Sequence, residues 1–274
     1  MQVKLAEKRG FCFGVKRAIA IAEESGGAIT FGEIIHNHRE TKRLEAAFGV
    51  KIANNLAEIP HGAKVIIRTH GIEKHDRAAL IKSAAKVIDA TCPFVKKPQK
   101  IAEKMRSEGY QVIIFGDAKH PEVKGVLSYA GDRAIVIGGE EELARERIYS
   151  RAALISQTTK QIDAFYRITA ALVARTNELR VFNTICNATF ENQNATRRLA
   201  DSVDIMIVVG GKNSSNTKQL HKIALDFCAD SYLIEDAAEL DSAIFAGKRL
   251  CGVTAGASTP DWIISEVVSK IENF

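Results

Sequence analysis

The sequence predicts an α/β protein: three similar α/β units with mainly parallel sheets, in a pseudo-threefold arrangement around one centre. Three observations predict it. Short, continuously apolar, β-branched runs alternate with helix-period segments along the whole chain. One cysteine recurs where a strand-like run hands over to a helix start, at Cys12, Cys92 and Cys186. The third unit stops where its last strand is due, and Val3-Lys4-Leu5, ahead of Cys12, supplies it. The expected boundaries are 13–93, 94–187 and 188–274, the last completed by an N-terminal strand within 1–12.

In the first unit, Val15, Ala18, Ile19 and Ala22 fall on one helical face between Gly14 and Glu24, and Gly26-Gly27 ends that helix. A strand follows from Ile29 to Ile35. Asn37 with Glu40 three residues later reads as a capping box. The strand Val65-Ile66-Ile67 ends at Thr69-His70-Gly71, a helix reaches about Lys86, and Val87-Ile88 leads into Cys92. Pro93 then suits the first helical position, where its missing N–H costs nothing.

The second unit repeats this plan. A helix from Pro93 to Arg106 contains Pro98, which should bend or delay it. Strands are expected at Val112–Phe115, Ala134–Ile137, Ala153–Ile155 and ahead of Cys186, with Phe165, Ile168 and Leu172 on one helix face. In the third unit Ile205–Val209, Tyr232–Ile234 and Leu250–Thr254 are strands. Leu220, Ile223, Ala224 and Phe227 mark one helix, and Asp236 with Glu239 a capped helix start. Thr259-Pro260 is an N-cap and first-turn proline for a helix lined by Ile264, Val267, Val268 and Ile271.

Composition excludes several classes. With 274 residues, 46% hydrophobic and 26% charged, the chain reads as globular and long enough for two or three small domains. No apolar run approaches the length of a membrane span, and Met1-Gln2-Val3-Lys4 opens no signal-peptide core, so a cytoplasmic location is expected. Five cysteines at wide spacings are not a secreted disulfide framework. A net charge of +5 permits an acidic protein partner or an anionic substrate. Without a basic stripe with interleaved aromatics, no nucleic acid is expected.

The polar loops after the strands collect His36 and His70; His120, Glu122 and Thr158; Ser214, Ser215, Asn216 and Ser258. Imidazoles, hydroxyls, an amide and helix N-terminal N–H groups suit a phosphate or diphosphate. Gly210-Gly211-Lys212-Asn213-Ser214 fails the Walker A spacing. Cys228 and Cys251 read as core, and His61, His75 and His221 as solvated. Three cysteines from distant segments do not resemble a structural zinc site. They fit either an iron–sulfur cluster with one iron left open or a Cys₃ zinc with bound water.

Gly10-Phe11-Cys12-Phe13-Gly14-Val15, Ile35-His36-Asn37, Thr69-His70-Gly71, Asp89-Ala90-Thr91-Cys92-Pro93, His120-Pro121-Glu122-Val123, Ser156-Gln157-Thr158-Thr159, Ile185-Cys186-Asn187-Ala188-Thr189, Lys212-Asn213-Ser214-Ser215-Asn216 and Thr254-Ala255-Gly256-Ala257-Ser258 occur in order. This set closely resembles the 4-hydroxy-3-methylbut-2-enyl diphosphate reductase (IspH/LytB) family. The resemblance implies that the three units surround a central [4Fe–4S] cluster, one per chain, held by Cys12, Cys92 and Cys186. It implies diphosphate binding by His36, His70, His120, Ser214, Ser215, Asn216 and Ser258, and control of the substrate hydroxyl and its proton by Glu122 and Thr158. It also implies reduced ferredoxin or flavodoxin as donor, with Lys8, Arg9, Lys16 and Arg17 as a dock near Cys12. Rival readings are a non-redox cluster dehydratase or condensing enzyme, and a cluster-bearing redox sensor that binds RNA. The combined diphosphate cradle argues against the first, since a dicarboxylate site would hold arginines.

Overall fold

The structure is a computed structural model that describes residues 1–84 and 86–274. Strand β1 (Gln2–Leu5) precedes α1 (Phe13–Glu24), β2 (Ile29–Phe31), α2 (His38–Phe48), β3 (Lys51–Ala53), β4 (Lys64–Ile67), α3 (Lys74–Ser83) and β5 (Lys86–Asp89). Then come α4 (Pro93–Ser107), β6 (Gln111–Phe115), α5 (Pro121–Ala130), β7 (Ile135–Ile137), α6 (Glu140–Arg145), β8 (Arg151–Ser156), α7 (Ile162–Val173) and β9 (Glu178–Val181). The chain ends with α8 (Asn187–Ala200), β10 (Ile205–Val209), α9 (Ser215–Phe227), β11 (Ser231–Ile234), β12 (Leu250–Ala255) and α10 (Asp261–Glu272). Among the described residues no helix is long and apolar enough to cross a membrane.

The strands form three four-stranded parallel sheets, ordered β3-β2-β4-β5, β7-β6-β8-β9 and β11-β10-β12-β1. Each places its second strand at one edge, its first and third in the middle and its fourth at the other edge. In the last sheet β1 takes the fourth place, pairing Gln2 with Leu250 through Leu5 with Val253. The N-terminal strand therefore closes the third sheet, as the pattern required.

Central strands are apolar on both faces because helices cover both. In β10, Ile205, Ile207 and Val209 pack with Ile264, Val267 and Ile271 of α10, while Met206 and Val208 pack with Leu199, Leu220 and Ala224 of α8 and α9. In β6, Val112 and Ile114 meet Met105 and Val126, while Ile113 and Phe115 meet Phe165 and Ile168. Each such side chain contributes about 1.5–3 kcal/mol on burial.

By its packing the chain forms two compact units. One takes Met1–Lys16, His36–Arg43 and Asn187–Phe274 and holds the third sheet; the other takes Arg17–Ile35 and Leu44–Cys186 and holds the first two.

Several element expectations shift. The strand expected to reach Ile35 stops at Phe31, because Gly32 turns the chain at φ +76°. Strand β3 was not expected. Helix α3 ends at Ser83, and Lys86 already belongs to β5. Helix α4 runs unbroken through Pro98. Pro260 is the N-cap of α10, not its first residue, and Thr259 Oγ1 instead donates to the Val209 carbonyl at 3.0 Å. Phe227 is exposed at the last residue of α9, leaving Leu220, Ile223 and Ala224 as the buried face.

Candidate active site

The sheet order decides where a site forms. Helical connections leave the two central strands in opposite directions, so a crevice opens beyond their carboxyl ends. The loops after those strands carry His36 and His70 in the first sheet, His120, Glu122 and Thr158 in the second, and Ser214, Ser215, Asn216 and Ser258 in the third. The fourth strand of each sheet leads toward a cysteine. Cys92 follows β5 closely and is the N-cap of α4. Cys12 and Cys186 stand several residues beyond β1 and β9, joined by irregular chain rather than ending a strand, but each directly precedes a helix, α1 or α8. A helix N-terminus stabilises a thiolate.

In the unit with two sheets, backbone and side-chain contacts link the candidate residues. The Cys92 N–H donates to the Thr69 carbonyl at 3.0 Å, beside His70. The His70 and His120 rings meet edge to face, centroids 5.3 Å apart. His120 is the N-cap of α5, and its Nδ1 accepts from the Glu122 N–H at 3.2 Å. That acceptor role leaves the imidazole proton on Nε2. The Glu122 carboxylate accepts from the Thr158 N–H and from the Thr158 hydroxyl, each at 2.7 Å. The Thr158 carbonyl in turn accepts from the Cys186 N–H at 3.0 Å.

Glu122 is buried. Burial pushes its carboxyl up to about 6, against the two hydrogen bonds from Thr158, which act to lower it. Asp89, just ahead of Cys92, behaves differently. Burial acts to raise its pKa, but bonds from Lys96 and from Thr91 outweigh that and hold it below the ordinary carboxylate value. Arg17, which the sequence assigned to a surface patch, donates to the carbonyls of Asp89 and Thr91 at 3.3 and 3.4 Å.

In the other unit the Cys12 N–H donates to the Ala257 carbonyl at 3.2 Å. The Ser258 hydroxyl donates to the His36 carbonyl at 3.1 Å. A Cβ on Gly211 would stand 2.7 Å from that same carbonyl, so only glycine lets the strand-end loop approach. Ser214 N-caps α9 through the Thr217 N–H, and Ser215 opens the helix, half-buried. Asn216 is buried, and among the described residues neither its amide nitrogen nor its oxygen has a hydrogen-bond partner. The Thr217 hydroxyl is likewise buried and unpartnered, a feature the sequence reading missed. Asn37 caps α2 through the Glu40 N–H, but the Glu40 carboxylate is bound by Arg43 and the Trp262 indole instead of closing a capping box.

Among the described residues no disulfide joins the cysteines. Cys228 and Cys251 are buried away from these loops, and burial pushes the Cys251 thiol up to about 12, as befits inert core. His61 and His75 are exposed, whereas His221 Nε2 lies 3.0 Å from the Ser231 carbonyl.

Residues 3–272 match the family profile described as LytB protein. The chain is 58% identical to a 4-hydroxy-3-methylbut-2-enyl diphosphate reductase of Wolinella succinogenes over 100% of this chain and 99% of that protein. It is 59% identical to one of Helicobacter hepaticus, covering 99% of each. Among solved structures, it resembles (E)-4-hydroxy-3-methyl-but-2-enyl diphosphate reductase, the terminal enzyme of the non-mevalonate pathway (41% identity, all of both chains, TM-score 0.71). A Plasmodium falciparum reductase matches with TM-score 0.90 at 28% identity, over 98% of this chain and 87% of that one.

Proposed function

The chain belongs to the LytB protein family, and from that premise we propose that it catalyses reductive dehydroxylation of 4-hydroxy-3-methylbut-2-enyl diphosphate to isopentenyl and dimethylallyl diphosphate, the last step of the non-mevalonate pathway. The substrate takes up two electrons and two protons, its allylic C–O bond breaks, and water leaves.

Cys12, Cys92 and Cys186 are the ligands of one [4Fe–4S] cluster. What supports the fit is the donor chemistry: three soft sulfurs outside any disulfide, each at a helix N-terminus. When bound, the cluster supplies single electrons and one iron with an open position, a Lewis acid for the allylic C–O bond. His36, His70, His120, Ser214, Ser215, Asn216 and Ser258 hold the diphosphate. The unpartnered amide of Asn216 supports this, since a buried amide without a partner costs about 1–3 kcal/mol and an anion would complete it. Remote binding energy then fixes the allylic end. Electrons come from reduced ferredoxin or flavodoxin in the cytoplasm.

One observation carries the reading of proton delivery: the buried pair of Glu122 and Thr158. A carboxyl pushed up to about 6 holds its proton near neutrality more readily than an exposed one. Protonated Glu122 gives its proton to Thr158 Oγ1, and the Thr158 hydroxyl passes its own to the leaving oxygen. General-acid help of this kind is worth about 10²–10⁴ in rate.

The test is anaerobic purification with iron and sulfide analysis, then turnover with a small chemical reductant. Cys12→Ser, Cys92→Ser and Cys186→Ser should each lose most of the iron, while Cys228→Ser and Cys251→Ser should not. Glu122→Gln should keep its iron and its substrate-induced spectral change yet turn over about 10²–10⁴ more slowly. Stoichiometric zinc in the anaerobic protein would sink the redox reading. Near-normal turnover of Glu122→Gln would remove it as the acid.

A further inference from the structure

The donor must reach the enzyme somewhere, and the basic group near Cys12 is largely engaged elsewhere. Lys8 lies 3.5 Å from Glu191, Arg9 Nη1 donates to the Ala6 carbonyl at 2.7 Å, and Arg17 faces the Asp89 and Thr91 carbonyls. Helix α4 offers a different surface. Its sequence holds five cations, Lys96, Lys97, Lys100, Lys104 and Arg106, against one carboxylate, Glu103. Glu103 is already taken by Lys74 at 2.6 Å. Lys97 and Lys100 are exposed, and among the described residues no carboxylate lies within ion-pair distance of either.

Phe94, Lys97, Ile101 and Lys104 follow one another at helical spacing and share one stripe of the helix. Phe94 is 43% exposed at the first turn, two residues after Cys92. A cleft lined by Arg77, Asp89, Lys96, Lys100, Glu103 and Tyr129 borders the helix, and a second is lined by Ile101, Lys104, Arg180 and Val181. Val181 is itself 41% exposed. Arg77 and Lys96 are paired with Asp89, and Lys104 and Arg180 with Glu108, so the uncompensated charge of this face rests on Lys97 and Lys100. Solvated apolar groups beside two such cations suit a transient docking face: charge steers the encounter, and the apolar groups fix it.

We propose that the outer face of α4, from Phe94 to Lys104, docks an acidic one-electron carrier protein beside Cys92. This rests on the cluster reading above. The charge favours an acidic partner, and the stripe starts two residues beyond the N-cap Cys92, so a carrier seated there has a short route to a cluster ligand.

The test uses the cluster-loaded enzyme and reduced plant-type [2Fe–2S] ferredoxin as probe, with cluster reduction followed by stopped flow. In K97E/K100E the second-order rate at low salt should fall tenfold or more and its salt dependence should flatten. Reduction and turnover with dithionite should stay unchanged. Phe94→Ser should slow the ferredoxin reaction several-fold with the salt dependence kept, and K8E/K16E should match the wild type. An unaltered ferredoxin rate in K97E/K100E overturns the proposal, as does a loss confined to K8E/K16E. Salt-sensitive polyuridylate binding that disappears in K97E/K100E, with the ferredoxin rate intact, overturns it by assigning the face to nucleic acid. A wild-type protein that takes up no reducible cluster overturns the functional reading itself, and the dock with it.

Discussion

At Glu122 two influences oppose each other. The start of α5 favours the ionised carboxylate, and so do the two bonds from Thr158, but complete burial outweighs them and pushes the carboxyl up to about 6. In the proposed role the acid acts while protonated. Thus kcat/KM with a small reductant should fall as pH rises through about 6, and that limb should vanish in Glu122→Gln. Stability follows the same sign. The folded value lies above the ordinary 4.5, so the contribution is fully present below 4.5 and lost as pH rises through about 6. A shift of that size is worth about 2 kcal/mol, and denaturant titrations of Glu122→Gln should lack the loss. Asn216 makes the opposite case, a buried amide that makes no hydrogen bond among the described residues. Asn216→Ala should leave the melting temperature unchanged or higher while weakening diphosphate binding about tenfold or more by calorimetry. The motifs singled out Glu122 and Asn216 as candidates. The sequence could not reveal that His120 caps its own helix, or that Arg17 turns inward, because both depend on where a partner carbonyl or amide lies in space.

At the scale of elements, the turn Thr69-His70-Gly71 is set by one glycine. Gly71 adopts φ +72°, and a Cβ there would stand 2.9 Å from Gln99 Nε2 and 3.2 Å from Thr91 Cγ2. The left-handed conformation alone costs an alanine about 1–2 kcal/mol. Gly71→Ala should therefore lower the melting temperature, and moving His70 should weaken product binding in the same calorimetric assay. The long buried strands were legible because β6 and β10 are apolar without interruption. Strand β3 was not, being three residues with Lys51 and Ile52 exposed, so periodicity had nothing to work on. The apolar run after Phe31 misled for the converse reason. Ile34 and Ile35 are buried, but in a loop that Gly32 turns out of the sheet.

At the scale of the whole molecule, the repeated sheet order was readable from spacing, and the closure by β1 followed from a strand that was due and absent. The packing into two units was not readable. Residues His36–Arg43 pack with the third sheet through the Trp262 indole on Glu40 at 3.1 Å and Arg39 on Glu266 at 2.6 Å, contacts between residues more than 220 apart that no local pattern encodes. The closing strand also protects an edge. Removing residues 1–6 would bare the β12 ladder and withdraw Val3 and Leu5 from the core under α10. The truncated protein should melt at lower temperature and aggregate during chromatography, while a variant shortened only at Phe274 should not.

That pairing also imposes a timetable on biosynthesis. Gln2–Leu5 cannot find its neighbour until Leu250–Val253, about 250 residues later in the chain, has emerged. At the usual 5–20 residues per second this leaves it waiting roughly 12–50 seconds. Cys12 is anchored to the Ala257 carbonyl, so that anchor too is missing until Ala257 has emerged. On the cluster reading proposed above, delivery of iron and sulfur is in consequence a step that follows the synthesis of Ala257.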